Sequence, residues 1–225
     1  MIPLRDTIPS GSYPVVNLLL IALNVLCFFY ELSLGPAASA LLERYGLVPA
    51  AFGLSRAGIA PLFTSMFLHS GWLHLGGNML FLYIFGDNVE DRLGHVRYVL
   101  FYLLSGATAG LAQAYTMPSS RIPMIGASGA IAGVTGAYFL FYPRARVVTL
   151  VPIFFFFQII EIPAVVFLLL WFVMQVMYGL ATVSAHGQAV GGVAFWAHVG
   201  GFLFGMLSGP LLVRRSRQSV RQPSW

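Results

Sequence analysis

Apolar residues fall into six long blocks along this chain, divided by short polar breaks or by glycine and proline. The blocks cover residues 13–34, 71–89, 95–116, 127–143, 161–182 and 193–213. A helix rises ~1.5 Å per residue, so about 20 residues cross a hydrocarbon layer of about 30 Å. The pattern predicts an all-α, polytopic membrane protein, a six-transmembrane-helix bundle over residues 13–213. Residues 1–12 are read as a short N-terminal segment and 214–225 as a basic tail. Between the first two blocks, residues 35–70 are interrupted by Pro36, Gly46, Pro49, Gly53 and Pro61. The apolar patches there predict short interfacial helices. A further apolar run, VVTLVPIFFFFQII (147–160), has only 14 residues, contains Pro152 and is closed by Glu161. It is too short to span and is read as a loop and interfacial segment leading into the fifth helix.

Composition sharpens this picture. Of 225 residues, 58% are hydrophobic and 8% charged, where soluble domains carry about a quarter charged residues. No water-facing globule can be built from this composition, so lipid is the solvent. The single cysteine, Cys27, excludes an intrachain disulfide framework. The net charge of +5 is all arginine, scattered between apolar blocks. That distribution argues against nucleic acid as a partner and for a topology signal. With the N-terminus inside, Arg5, Arg92, Arg97, Arg144, Arg146, Arg214, Arg215, Arg217 and Arg221 are cytoplasmic. Arg44, Arg56 and Arg121 are outside, a division of nine to three that obeys the positive-inside rule with both termini cytoplasmic. A seventh span at 147–160 would put the four-arginine tail outside. The first block is long and lacks a small-residue cleavage site, so it is read as an uncleaved signal anchor. No transit peptide is apparent, and a prokaryotic plasma membrane is expected.

Polar side chains inside spans are costly and need a partner or a task. Four stand out: His74 and Asn78 in the second span, Ser128 in the fourth and His198 in the sixth. In the six-span topology all four lie in the outer third of the bilayer. A serine hydroxyl becomes a nucleophile when a base takes its proton, and neutral imidazole suits that task. Ser128 sits in GASGAIAG (Gly126–Gly133), whose glycines clear space around the hydroxyl. The oxyanion formed by attack on a carbonyl needs donors, which the Ser128 backbone N–H, the Asn78 amide and the His74 ring can supply. His74 and Asn78 are i, i+4, sharing one helix face ~6 Å apart. Loss of one such donor costs roughly 3–4 kcal/mol of transition-state stabilisation. Small residues recur at four-residue spacing, Gly129 and Gly133 in one span and Ala197, Gly201 and Gly205 in another. Such stripes let helices four and six approach closely enough for short side chains to meet.

Of the seven carboxylates, most fall at the inner face or in the first loop. Glu31, at the outer end of the first span, is the residual candidate for a third member, and a Ser-His dyad is preferred. No His-Glu-x-x-His pattern offers a metal site, and the paired membrane aspartates of an aspartyl mechanism are missing. A transport pathway would spread polar groups through the membrane thickness, whereas here they gather near one face.

Three segments carry a family resemblance: HSGWLHLGGNMLFLYIFGDNVEDRLG (His69–Gly94), GASGAIAG and AHVGGFLFG (Ala197–Gly205). In this order, on the second, fourth and sixth spans, they resemble the rhomboid intramembrane proteases. The resemblance implies hydrolysis of peptide bonds in or near transmembrane segments of single-span membrane proteins, within the lipid bilayer and without metal or organic cofactor. It implies Ser128 as nucleophile and His198 as general base, with His74, Asn78 and the Ser128 amide as the oxyanion hole. His69 matches a supporting histidine, with loop tethering as its expected role, and Glu90 matches a glutamate that ties loops together. The fifth span, or the loop from Thr182 to Val193 with Gly187, Gly191 and Gly192, is the expected gate. Two departures stand out. Ala60-Pro61-Leu62 occupies the place of a Trp-Arg pair found in many members. Ala132 replaces a tyrosine against which the imidazole packs, which leaves the orientation of His198 without an assigned partner.

Overall fold

In the computed structural model, which describes residues 1–53, 56–153, 156–184 and 193–213, helices occupy each of the six predicted blocks. They are α1 (Val15–Ser33), α5 (Trp72–Leu93), α6 (His95–Thr116), α7 (Ser128–Phe141), α8 (Ala164–Ser184) and α9 (Phe195–Leu212). The first loop holds the expected short helices α2 (Ala38–Tyr45), α3 (Arg56–Ile59) and α4 (Pro61–Thr64). Gly187, Gly191, Gly192 and the tail 214–225 lie outside the described residues.

Three of these helices, α1, α8 and α9, are long and apolar enough to cross a membrane by length and composition. The others differ for physical reasons. Helix α5 ends in Asp87, Glu90, Asp91 and Arg92, and α6 begins with His95 and Arg97. Helix α7 has 14 residues, about 21 Å at 1.5 Å each. It is enclosed by protein: every residue from Gly129 to Tyr138 is buried. A helix surrounded by other helices owes its environment to them and not to lipid. Helix α1, by contrast, turns Leu19, Leu23, Leu26 and Phe29 outward, as lipid solvation requires.

The chain is not all-α. Strand β1 (Ile2–Asp6) pairs antiparallel with β2 (Arg146–Ile153), and β2 pairs antiparallel with β3 (Phe156–Pro163), in the order β1-β2-β3. The β1–β2 register runs from Ile2 opposite Leu150 to Asp6 opposite Val147, with an irregularity between Pro3 and Arg5. Eight pairs, from Arg146 opposite Pro163 to Ile153 opposite Phe156, join β2 to β3. This corrects two sequence expectations. Residues 147–153 and 156–160 belong to paired strands and not to a loop, and the first residues contribute a strand. Val, Ile, Thr and Phe dominate the run, and such side chains favour the pleated conformation.

Four arginines stand at the end of the bundle that carries the sheet. Arg5 lies on β1 and Arg146 on β2, the Arg92 guanidinium sits 5.7 Å over the Phe141 ring, and Arg97 donates to the Leu212 carbonyl at 3.0 Å. Glu90 binds the start of α1 there: its carboxylate accepts from the Val16 and Asn17 N–H groups at 3.0 and 2.7 Å and meets His95 Nδ1 at 2.5 Å. An acid at a helix N-terminus answers both the unpaired N–H groups and the dipole.

Asp6 completes this end. Its carboxylate accepts from Tyr138 Oη at 2.5 Å and Asn88 Nδ2 at 2.9 Å. Burial, reinforced by Asp87, outweighs these bonds and raises its pKa from 3.8 to about 6. Between the ordinary aspartate value and about 6 the folded state therefore holds a proton on Asp6 that the unfolded chain has released. The associated stability is complete below the ordinary aspartate value and is lost as pH rises through about 6. Asp6→Asn should flatten the melting temperature between pH 4 and 7 relative to the parent, as followed by thermal unfolding in detergent. An unchanged slope would show that Asp6 does not set it.

Candidate active site

The opposite end of the bundle receives the N-termini of α5, α7 and α9. Gly126 precedes α7 with φ of +116°, a left-handed conformation suited to glycine, and its N–H is held by the Ser65 carbonyl at 2.9 Å. The turn sets Ser128 as the first residue of α7, where backbone N–H groups lack intrahelical acceptors and the dipole is positive.

Helices α7 and α9 touch backbone to backbone. A methyl group built on Gly205 would collide with the Gly133 carbonyl, one on Gly201 with the Gly129 carbonyl, and one on Gly136 with the Phe202 carbonyl. Gly129 is closed on its other side by the Ala109 methyl of α6, 2.6 Å from where a Cβ would stand. Alanine at any of these positions would drive the helices apart. Their glycines allow an approach that brings His198 Nε2 to 2.7 Å from Ser128 Oγ.

The other imidazole nitrogen is also held. His198 Nδ1 lies 2.7 Å from Gln175 Oε1 on α8, and the Trp171 ring, one turn earlier, packs 5.7 Å away at 35°. Trp171 and Gln175 are i, i+4 on α8, and their two contacts orient a ring for which the sequence offered no partner. An amide oxygen accepts and cannot donate, so Nδ1 carries the hydrogen and Nε2 presents its lone pair to Ser128. Gln175 is buried and was missed in the sequence analysis, although it meets the same criterion that singled out Asn78.

His74 and Asn78 stand one turn apart on α5, on the Gly126 side of Ser128. His74 Nδ1 receives the Ser70 N–H at 3.4 Å and lies 3.1 Å from Ser70 Oγ. The ring hydrogen is thus left on Nε2, which faces Gly126: a Cβ there would lie 2.5 Å from it and 3.4 Å from Asn78 Nδ2. Asn78 Nδ2 contacts His69 Nε2 at 3.0 Å, and its second hydrogen remains for another acceptor. His69 thereby supports Asn78, and among the described hydrogen bonds it makes none to Ser128. Its backbone N–H is received by both Glu31 oxygens at 3.2 Å. Glu31 is committed to that bond and not to His198.

These groups open into a cavity of about 720 Å³ whose walls include His74, Asn78, Ser128, Ile131, Trp171 and His198. Ser128 and His74 are half-buried, while His198 and Asn78 are 8% exposed. The site combines a hydroxyl in contact with a base, donors beside it and room for a peptide segment. Among the described residues, no group of three or more His, Cys, Asp or Glu side chains converges as a metal site.

Comparison with known sequences agrees with this architecture. The sequence model of the Rhomboid domain matches residues 56–215. YdcA of Bacillus subtilis, which bears the name of a rhomboid protease, is 34% identical over 126 residues, covering 56% of this chain and 61% of YdcA. Rhomboid protease GluP of the same organism is 34% identical over 129 residues, covering 57% of this chain and 25% of GluP. RHOMBOID-like protein 6, mitochondrial, of Arabidopsis thaliana is 36% identical over 104 residues, 46% of this chain and 33% of that protein. The chain thus spans less than two thirds of the length of these curated relatives.

Proposed function

Because this chain belongs to the rhomboid family, we propose that it is an intramembrane serine endopeptidase with six membrane spans, α1 and α5 to α9. It cleaves peptide bonds in or near the transmembrane segments of single-span proteins, and its arginine-rich end faces the cytoplasm. The observation that carries this reading is the 2.7 Å contact between Ser128 Oγ and His198 Nε2 at the head of the cavity.

In this reading Ser128 Oγ attacks the scissile carbonyl carbon as His198 Nε2 takes its proton. The oxyanion receives the Ser128 N–H, the second Asn78 amide hydrogen and the His74 Nε2–H. Collapse of the intermediate breaks the peptide bond, and His198 returns its proton to the departing amine. Water, deprotonated by His198, then attacks the acyl-serine ester and restores the hydroxyl. A carbonyl inside an intact helix is occupied by its own hydrogen bonds, so suitable substrates are helices that unwind easily.

A fluorophosphonate probe tests the reading directly, because labelling needs an activated serine. The full chain should be labelled and should cleave a model transmembrane substrate, and Ser128→Ala should do neither. Equal labelling of the two proteins would sink the nucleophile assignment. No labelling of the parent would favour a non-catalytic adaptor on the same fold.

Gln175 acts in this scheme as a positioning residue. Gln175→Leu should lower kcat roughly 5- to 10-fold, the worth of one neutral hydrogen bond, with KM little changed. Gln175→Glu keeps an oxygen acceptor for Nδ1 and should recover most of the kcat lost in Gln175→Leu. Unaltered kcat in Gln175→Leu would remove Gln175 from the mechanism.

A further inference from the structure

The β2–β3 hairpin plays no part in the scheme above, and its surface is unusual for a segment outside the helices. Its base is buried: Val147 and Thr149 are fully enclosed and Val148 nearly so. Beyond Thr149 the environment changes. Pro152 is exposed, and on β3 Phe156 and Phe157 are each 73% exposed, Ile159 65% and Ile160 41%. Adjacent strand residues point to opposite faces, so Phe156 and Phe157 leave both faces of the hairpin apolar. Between Arg146 and Glu161 the sequence carries no charge.

We propose that this hairpin is a membrane-inserting element whose distal half lies among the acyl chains of the leaflet at the arginine-rich end. Four observations support lipid as the occupant. Glu161 is three residues before the start of α8, so the hairpin base sits where that helix meets the headgroups. From Thr149 to Ile153 is four strand steps, about 13 Å, comparable to the 5–10 Å to which interfacial segments bury their apolar faces. Helix α8 itself shows an apolar surface through Val166, Leu169, Leu170 and Val173, so the hairpin continues an existing lipid contact. Lastly, Arg5, Arg144 and Arg146 are exposed around the base. That is the height of the phosphates, and anionic headgroups attract such side chains.

The competing occupant is a second copy, adding a strand to the open edge of β3. Edge pairing would satisfy the backbone of β3 but would leave the Phe156 and Phe157 faces in water. Lipid covers both faces at once.

Phe157→Trp supplies a local reporter in the full-length protein. Its emission, after subtraction of the parent's, is read in vesicles of phosphatidylethanolamine and phosphatidylglycerol, with and without brominated acyl chains. The expected result is quenching by bromine and none by aqueous iodide. Iodide quenching without bromine quenching would place the hairpin in water and overturn the proposal. In parallel, Ile159→Cys in a Cys27→Ser background should remain monomeric under oxidation. Efficient disulfide-linked dimers would assign the surface to a second copy instead.

Discussion

Replacement of His198 by alanine is expected to lower turnover of a transmembrane substrate by about 10³-fold or more, to the level of Ser128→Ala. In the proposed mechanism the two groups act on one proton. Ser128 Oγ stands 2.7 Å from His198 Nε2, and no other imidazole contacts the hydroxyl among the described hydrogen bonds. Without the base, attack requires a neutral hydroxyl; without the hydroxyl, the base has only water to activate. Removing either leaves the proposed oxyanion donors and the cavity in place, so a small residual rate should persist. The double variant Ser128→Ala/His198→Ala should then be no worse than either single one, because residues that act as a unit are non-additive. Initial rates in proteoliposomes give the comparison. Losses that multiply in the double variant would mean that the residues work separately, and the mechanism would fall.

The second large effect is expected from a single methyl group far from the chemistry. Gly205→Ala sets a Cβ against the Gly133 carbonyl oxygen, a backbone atom that cannot move aside as a side-chain tip could. Overpacking of this kind costs typically 1–3 kcal/mol and more where both partners are rigid. Helices α7 and α9 carry Ser128 and His198, the proposed nucleophile and base, so separating them also stretches a 2.7 Å contact. Turnover should therefore fall further than the loss of folded protein explains. Gly76→Ala is the control: nothing lies within 4 Å of its Cβ position, and alanine favours helix over glycine by about 1 kcal/mol. Thermal unfolding and turnover measured on both variants decide the matter. A Gly205→Ala protein with parental melting and rate would show that the close approach is dispensable.

Hydropathy blocks located the long helices because a lipid-facing helix must be apolar along its length, and the breaks at Gly94 and Gly126 mark real turns. The hairpin escaped notice for a related reason. Alternation identifies a strand only when one face meets water, and VVTLVPIFFFFQII is apolar at alternate and intervening positions alike, with no glycine, asparagine or aspartate to signal a turn. Pairing of Ile2–Asp6 with β2 spans most of the chain and has no local signature. At the site, Ser128, His198, His74 and Asn78 were legible because polar groups in apolar spans are rare, and the structure brings them to one cavity. Gln175 passed unremarked as a lone amide in an apolar span. Its position one turn after Trp171, in a run from Ala164 to Thr182 without a charged residue, was the available signal. Glu31 was the carboxylate considered for a third place, but its role depends on where the His69 backbone lies, which no spacing discloses.

The contact between Gln175 and His198 spans two helices of unequal freedom. Helix α9 is locked to α7 by glycines, whereas α8 presents Leu169, Val173, Met177 and Leu180 to the outside and forms a wall of the cavity through Trp171. If a polypeptide enters by pushing that wall aside, it also unhooks the imidazole from its amide and lets the ring turn. Opening and readiness then exclude each other. Such a catch would idle the chemistry while the door is ajar and arm it once the wall has swung back around its guest.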